Sequence, residues 1–307
     1  MSKAKIATEW LMVCSGCEIS LLDIHDAIVD VLEKADIVRS PVLADVKDFV
    51  PADVGIISGG IRNEHNIHVA HEMRKNCKII VGLGSCACFG GIPSLGNMYS
   101  REEILHKVYL DTLGVDNPLG RYPQDDLPAL TERVRPLSSE IDVDIMLPGC
   151  PPVPELIATA VMSLLEGKPL ALPSYSVCEP CPRTKRNIQI NELKRWYQSA
   201  NESVDRDSCL LEQGYLCLGP ATWGLCDARC TKVGVPCRGC HGPLNPDREP
   251  GLDIASLMAT LTTKLPIEKV MEALGNDPLA YFYQHQYGAT KFNKLSETKL
   301  KPKAVTK

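Results

Sequence analysis

The chain has 307 residues, 44% of them hydrophobic and 23% charged, with 33 basic against 38 acidic side chains and a net charge of −5. That balance excludes a disordered chain and a nucleic-acid coat, which needs a basic face. No apolar run approaches the roughly 18 residues of a membrane-spanning helix, so no membrane span is expected, and at about 150 residues per domain the length suits one large domain or two ordinary ones.

The N-terminus runs from Met-Ser-Lys-Ala-Lys directly into Ile6 with no apolar leader and no twin-Arg pair, so no secretion signal is expected. Lys5–Val13 is a short apolar segment. Glu18–Glu33 has helical spacing of its apolar residues. Asp53–Ser58 reads as a buried strand ending in Gly59-Gly60, and Asn63–Lys75 as a helix. Cys77–Leu83 is a second buried strand, running into Gly84. Arg101–Leu110 looks helical, and Pro118, Pro123, Pro128 and Pro136 break up a long surface excursion after it. Val143–Leu147 is a further strand and Pro154–Leu165 a helix. Short β-rich runs between helices predict an α/β fold with a parallel sheet covered on both faces. Gly167–Ser176 is the expected domain boundary, dividing residues 1–170 from 171–285. In the second half Ile188–Glu202 and Ile254–Leu274 look helical, the latter interrupted at Pro266. A basic tail, 286–307, follows; its Lys291–Lys307 stretch holds six lysines and one glutamate and reads as a solvated or partner-bound end.

The 14 cysteines set this chain apart, and eight lie between Cys178 and Cys240. With no secretion signal, the reducing cytoplasm is the expected compartment, where dense cysteine reads as metal binding. Three expected strands deliver cysteine just past their carboxyl ends, where such sheets bind ligands: Cys14-Ser-Gly-Cys17, Gly84-Ser-Cys86-Ala-Cys88 and Pro148-Gly-Cys150-Pro-Pro. Four thiolates there could hold an iron–sulfur cluster, with flanking glycines admitting the backbone to its sulfides. Cys178-Glu-Pro-Cys181 and Cys237-Arg-Gly-Cys240 are pairs that zinc could also use. Eight cysteines could bind two zinc ions, so their spacing leaves both metals open; the strand-end cysteines favour iron–sulfur. Without metal, Val177–Pro250 has too little apolar content to fold.

Together, Cys14-x-x-Cys17, Gly84-Ser-Cys86-Ala and Pro148-Gly-Cys150-Pro-Pro resemble the small subunit of [NiFe] hydrogenases, and more distantly the cluster-bearing subunit of respiratory complex I. The resemblance covers about residues 5–245. It implies a flavodoxin-like domain with a proximal [4Fe–4S] cluster on Cys14, Cys17, Cys86 and Cys150, then a small, mostly irregular and helical iron–sulfur domain. Cys178, where periplasmic relatives have histidine, Cys181, Cys209 and Cys217 would hold a distal cluster, a small insertion preceding Cys217. The segment from Gly219 to Cys226, with Cys237-Arg-Gly-Cys240, resembles the medial site; Cys230 adds a fourth thiolate, so a [4Fe–4S] medial cluster on Cys226, Cys230, Cys237 and Cys240 is expected. Cys77 is left as a core thiol, and Cys88 as the alternative to Cys86. Length and cysteine-rich sites look closest to the cytosolic group typified by the methyl-viologen-reducing, coenzyme F420-non-reducing hydrogenase, which works with heterodisulfide reductase. The small subunit of the deazaflavin-reducing type is the nearest competitor. The implied role is an electron wire with no catalytic residue of its own: the nickel–iron centre sits on a partner large subunit, and electrons leave to an iron–sulfur or flavin subunit. A zinc-binding scaffold is the alternative of another class, and a complex I-like subunit a third, although the latter normally lacks the second cysteine set.

Other features have plainer readings. Glu18 suits a helix N-terminus, with a proton path at a subunit interface as the sharper alternative. Gly59-Gly60 and Gly82-x-Gly84 could cradle a flavin phosphate, but Cys86 occupies that loop and favours a cluster. His65, His68 and His71 read as a half-exposed helix face, His241 as a neighbour of the ligand Cys240 rather than a ligand, and Trp10, Trp196 and Trp223 as packing residues.

Overall fold

A computed structural model describes residues 3–186, 190–246, 249–262, 265–275 and 278–291. In chain order the first half forms β1 (Ala4–Trp10), α1 (Gly16–Leu22), α2 (Ala27–Lys34), β2 (Ala35–Arg39), β3 (Ala52–Ser58), β4 (Ile61–Asn63), α3 (Glu64–Asn76), β5 (Cys77–Leu83), α4 (Gly84–Phe89), α5 (Arg101–His106), β6 (Leu130–Arg135), β7 (Ile145–Leu147) and α6 (Pro154–Leu165). Five strands make one parallel sheet in the order β2-β1-β3-β5-β7, while β4 and β6 pair antiparallel outside it. This is the flavodoxin-like order, whose switch point lies between β1 and β3.

Near-continuous apolar runs in β3 and β5 are what a sheet buried on both faces requires. Successive residues point to opposite faces, so Ile56 and Val81 pack with Ile157, Ala160 and Val161 of α6 on one side. Ile57 and Ile80 pack with Val69, Ala70 and Met73 of α3 on the other. α3 starts where Asn63 accepts from the Asn66 amide at 2.8 Å and Asn66 answers by accepting from Asn63 at 3.3 Å.

Three expectations need correction. The single helix over Glu18–Glu33 is two, α1 and α2, because His25 turns left-handed at φ +53 and Ile24 is drawn into the core between them. The excursion after Arg101 is not wholly irregular: β6 returns from it to pair with β4. Ile188–Glu202 is not a helix among its described residues; only Trp196–Ala200 forms a 3-10 turn. Its backbone pairs elsewhere instead, Lys194 N–H with Gly214 O at 2.7 Å and Leu216 N–H with Lys194 O at 2.9 Å.

The second half adds α7 (Arg229–Lys232), α8 (Pro250–Thr262), α9 (Ile267–Leu274) and α10 (Pro278–Phe282), with the break between α8 and α9 falling before Ile267 as Pro266 requires. Residues up to Leu172 pack on the sheet. A second core gathers Leu216, Leu218, Ile254, Met258, Val270, Leu274 and Tyr281. A third is built around sulfur: Val177, Leu210, Tyr215 and Ala228 pack with Cys181, Cys217, Cys226 and Cys237. The halves meet where Gly242 lies against the Phe89 ring and the Gly288 amide donates to Ser94 Oγ at 2.9 Å. The lysine-rich end from residue 292 onward lies outside the described residues. Among the described residues no helix is long and apolar enough to cross a membrane.

Candidate metal centres

The carboxyl ends of β1, β5 and β7 form one crest, and each is followed closely by cysteine. Cys14 follows β1 and is exposed. Ser15 at φ +67 then turns the chain into α1, which carries Cys17. Cys86 lies within α4, directly after β5, and Cys150 three residues after β7. Burial pushes the Cys17 thiol far up, and the charges of Glu18, Cys86, Cys150 and Cys14 push it further. Burial likewise raises Cys86 to about 12, with Cys150, Cys14 and Glu18 adding to it. Cys150 rises through burial and its neighbour Cys14. The four thiols are thus close enough to repel one another as thiolates.

Two glycines let these sulfurs lie directly against the backbone. A Cβ on Gly84, at φ +84, would stand 2.3 Å from Cys17 Sγ; one on Gly91, at φ +60, would stand 2.4 Å from Cys86 Sγ. Cys88 is placed differently. It is 4% exposed and its thiol meets Gly82 O at 3.4 Å inside the fold. Cys77, also 4% exposed, packs among Ile57, Met73 and Ile80.

The remaining eight cysteines are assembled by short backbone bridges. Ser176 pairs with Trp223 and Thr222 with Pro243, which draws together the segments bearing Cys178, Cys226 and Cys240. Thr184 bridges Ser208, and the Cys209 amide donates to Thr184 O at 2.9 Å, setting Cys209 near Cys178 and Cys181. Burial, with Cys209 and Cys181, raises Cys178 to about 11 against the opposing Ser176 and Lys185. Cys217 is pushed up by burial and by Cys237 and Cys178. Its sulfur accepts the Cys237 amide at 3.2 Å, so it stands between this group and the next. Asp227 and Ala228, at φ +51 and +54, turn the chain between Cys226 and Cys230. Burial lifts Cys237 to about 12, with Cys226 and Cys230 contributing. Cys240 rises through burial and through Cys237, Cys226 and Cys230. Three of the five non-glycine residues at positive φ among the described residues therefore lie between cysteines that share a group.

Among the described residues no three of His, Cys, Asp or Glu converge as they would on one bound ion. His68 meets Phe49 edge-on and His71 lies 3.9 Å from Glu140, so the helical histidines engage separate neighbours. Glu18 accepts from the Ser58 hydroxyl, and its other carboxylate oxygen is buried without a partner. Trp196 stacks under Arg238 at 4.2 Å and Trp223 donates to Pro173 O at 2.6 Å.

Sequence reasoning missed Ser85. It donates through Oγ to Cys240 O, accepts the Gly149 amide at 3.0 Å and gives its own amide to Gly149 O at 2.8 Å. It therefore ties the crest to the second cysteine domain. Its place in Gly84-Ser-Cys86 was the only sequence signal.

Residues 14–164 match the family described as NADH ubiquinone oxidoreductase, 20 Kd subunit. A subunit of the F420-non-reducing hydrogenase vhu of Methanococcus voltae is 44% identical over 258 residues, which are 84% of this chain and 88% of that protein. The iron–sulfur subunit of the F420-non-reducing hydrogenase of Archaeoglobus profundus is 37% identical over 81% of this chain and 85% of that protein. Among solved structures, a chain of an NAD+-reducing [NiFe]-hydrogenase in the H2-reduced state is 36% identical with a TM-score of 0.54, covering 56% of this chain and 96% of that one. A chain of the actinobacterial-type NiFe-hydrogenase from Ralstonia eutropha H16 shares the fold at 19% identity and TM-score 0.50, over 90% of this chain and 91% of its own. Since the likeness runs through both the sheet domain and the cysteine-rich half, the chain belongs to the iron–sulfur subunits of F420-non-reducing hydrogenases, the electron-transferring small subunits of [NiFe] hydrogenases.

Proposed function

We propose that this subunit carries three [4Fe–4S] clusters: proximal on Cys14, Cys17, Cys86 and Cys150, medial on Cys226, Cys230, Cys237 and Cys240, and distal on Cys178, Cys181, Cys209 and Cys217. One observation carries the reading. Cys14, Cys17, Cys86 and Cys150 influence one another, as do Cys226, Cys230, Cys237 and Cys240, and Cys178 does so with Cys181 and Cys209; Cys217 stands between the last two sets, while Cys77 and Cys88 are packed inside the sheet domain. Buried thiols that repel one another as anions need cations among them, and iron supplies these. Gly84 and Gly91, having no Cβ, let the Cys17 and Cys86 sulfurs lie against bare backbone, the close approach a cluster site needs. Reversible one-electron storage is the chemistry such clusters supply.

The chain's own residues hold, insulate and connect. Burial of Cys217, Cys237 and Cys240 keeps water from the inner sulfurs. Ser85, which donates through Oγ to Cys240 O, joins the proximal loops to the medial set. The exposed crest, with Cys14, Ile19, Leu22, Val42 and Leu43, suits docking of a large subunit bearing the nickel–iron centre. Electrons from hydrogen then pass from proximal to medial to distal, and on to an iron–sulfur or flavin subunit, for which heterodisulfide reductase is the proposed destination. A reducing compartment, the cytoplasm, suits fourteen free thiols. Residues 1–170, 171–285 and 286–307 are taken as sheet domain, iron–sulfur domain and basic tail.

Iron and acid-labile sulfide analysis of the anoxically purified complex tests the count. About twelve iron atoms per chain are expected, and about four or eight would overturn it. Partners captured with a nickel-containing subunit then test the acceptor; coenzyme F420 reduction by that complex would replace heterodisulfide reductase with the deazaflavin-reducing role.

A further inference from the structure

Cys240 joins the medial thiols to the sheet domain, and its surroundings differ from those of the other eleven. Its carbonyl accepts from Ser85 Oγ of the proximal loops. The next residue, His241, is 1% exposed, and its ring Nδ1 lies 3.3 Å from the Cys240 sulfur. The other ring nitrogen, Nε2, is buried without a partner. A sulfur bound to iron has no proton to give, so the contact requires Nδ1 to carry the hydrogen and the sulfur to accept it.

The ring has little freedom to leave this position. Gly239 and Gly242, at φ +80 and +71, close a turn around it through the Gly242 amide and Gly239 O at 3.0 Å. Gly242 is fixed in turn, accepting the Trp223 amide at 3.1 Å and lying on the Phe89 ring. The bond is therefore preorganised.

We propose that His241 is a positioning residue for the medial cluster, whose Nδ1–H donates to the Cys240 sulfur and raises that cluster's reduction potential above that of an otherwise similar four-thiolate site. The physical reason is general. Reduction adds negative charge to the cluster and its sulfurs, and an N–H aimed at a sulfur stabilises the more negative state. In a dry setting the effect is larger than in water. Placed on the cysteine tied to the proximal loops, the donor would make the medial site the more willing acceptor of an electron arriving from them. The inference rests on the medial ligand set proposed above.

The test is a redox titration of the intact anoxic complex followed by electron paramagnetic resonance. His241→Leu should lower the medial potential while leaving the proximal and distal potentials unchanged. His241→Asn, whose amide nitrogen takes the place of Nδ1, should restore most of the parent value; His241→Gln, whose nitrogen takes the place of Nε2, should not. An unshifted medial potential in His241→Leu, with iron content intact, overturns the proposal, as does an Asn variant as low as the Leu one. Should the Leu variant lose the cluster, the parent protein decides: pulsed spectroscopy on reduced, histidine-15N-labelled complex should show one histidine nitrogen coupled to the medial spin, and no coupling refutes the bond. A complex with no medial signal at all refutes the ligand assignment instead.

Discussion

Cys86 and Cys88 stand two residues apart in one short helix, yet their surroundings separate them. Cys86 shares charge repulsion with Cys150 and Cys14, and its sulfur lies against the bare backbone of Gly91. Cys88 faces the interior with Gly82 O as its partner. Helical geometry alone forces the split, because positions i and i+2 point to different sides. Replacing Cys88 by Ala should cost about 1 kcal/mol of stability and leave the iron content unchanged. Replacing Cys86 by Ser should remove about four iron atoms and slow electron transfer from hydrogen to viologen by more than about a hundredfold. Iron analysis and viologen reduction on the two variants decide the matter, and equal iron loss would show the assignment to be wrong. His285 offers a second single-residue case. It is 6% exposed, and burial, aided by Arg238 and His241, lowers its pKa to about 4. Its folded pKa lies below the unfolded value of about 6.5, so the unfolded chain binds more protons as pH falls between the two. The stability that neutral His285 provides is therefore complete above the unfolded pKa and is lost as pH falls toward the folded one. Between pH 7 and pH 5.5 this side chain alone should remove about 1 kcal/mol. Anoxic denaturant unfolding at both values checks it: His285→Phe should lose that much less than the parent.

Strands β3 and β5, helices α3 and α6 and the interruption at Pro266 were legible because each follows from a local rule: continuous apolar runs, capping asparagine, helical spacing, a missing amide. The three strand-end cysteine motifs were legible for the same reason, since a parallel sheet collects its carboxyl ends on one crest. The segment around Ile188–Glu202 was not. Its amphipathic spacing is real, but Lys194 finds its backbone partners at Gly214 and Leu216, twenty residues and more away, and Arg195 donates to the carbonyl ends of α9. No window of sequence holds that information. Ser85 was missed similarly, because its partner Cys240 is 155 residues distant. These long-range ties in the second half are short bridges around sulfur rather than a deep apolar core; Cys181, Cys217, Cys226, Cys237 and Ala228 make up much of the third core. Metal binding there is expected to be folding free energy. Removing iron with a chelator should leave the sheet domain's amides protected while those around Lys194, Thr222 and Trp223 exchange freely. Hydrogen exchange read by mass spectrometry before and after chelation measures this, and uniform protection after iron loss would show that the second half folds on apolar burial alone.

Taken together, the molecule buries the sulfurs of Cys217 and Cys237 and exposes sulfur at Cys178 and Cys230 as well as at the crest. Cys14 is exposed there, and Ile19 is 58% and Val42 66% exposed. A cavity lined by Trp10, Glu18, Ile19, Leu22 and Leu43 opens beside them, with the unpartnered Glu18 oxygen in its wall. Apolar side chains left in water beside a redox thiol are costly for a free chain, and cheap only if a partner covers them. For a small subunit of a [NiFe] hydrogenase that partner is the large subunit, and on the electron order proposed above the cover also keeps solvent from the first sulfurs an electron meets. Replacing Ile19 by Asp should then weaken pairing by at least about tenfold, since a carboxylate would have to be desolvated at the centre of the contact. The same change at Val233, 77% exposed in the turn after α7 and lining a separate groove with Arg183, Trp196 and Ala200, should leave pairing unaltered. The retention of the nickel-bearing subunit by each tagged variant under anoxic conditions provides the measurement. If Ile19→Asp holds its partner as firmly as the parent while Val233→Asp lets go, the large subunit sits on the face of Val233, and the order of electron flow proposed above is overturned.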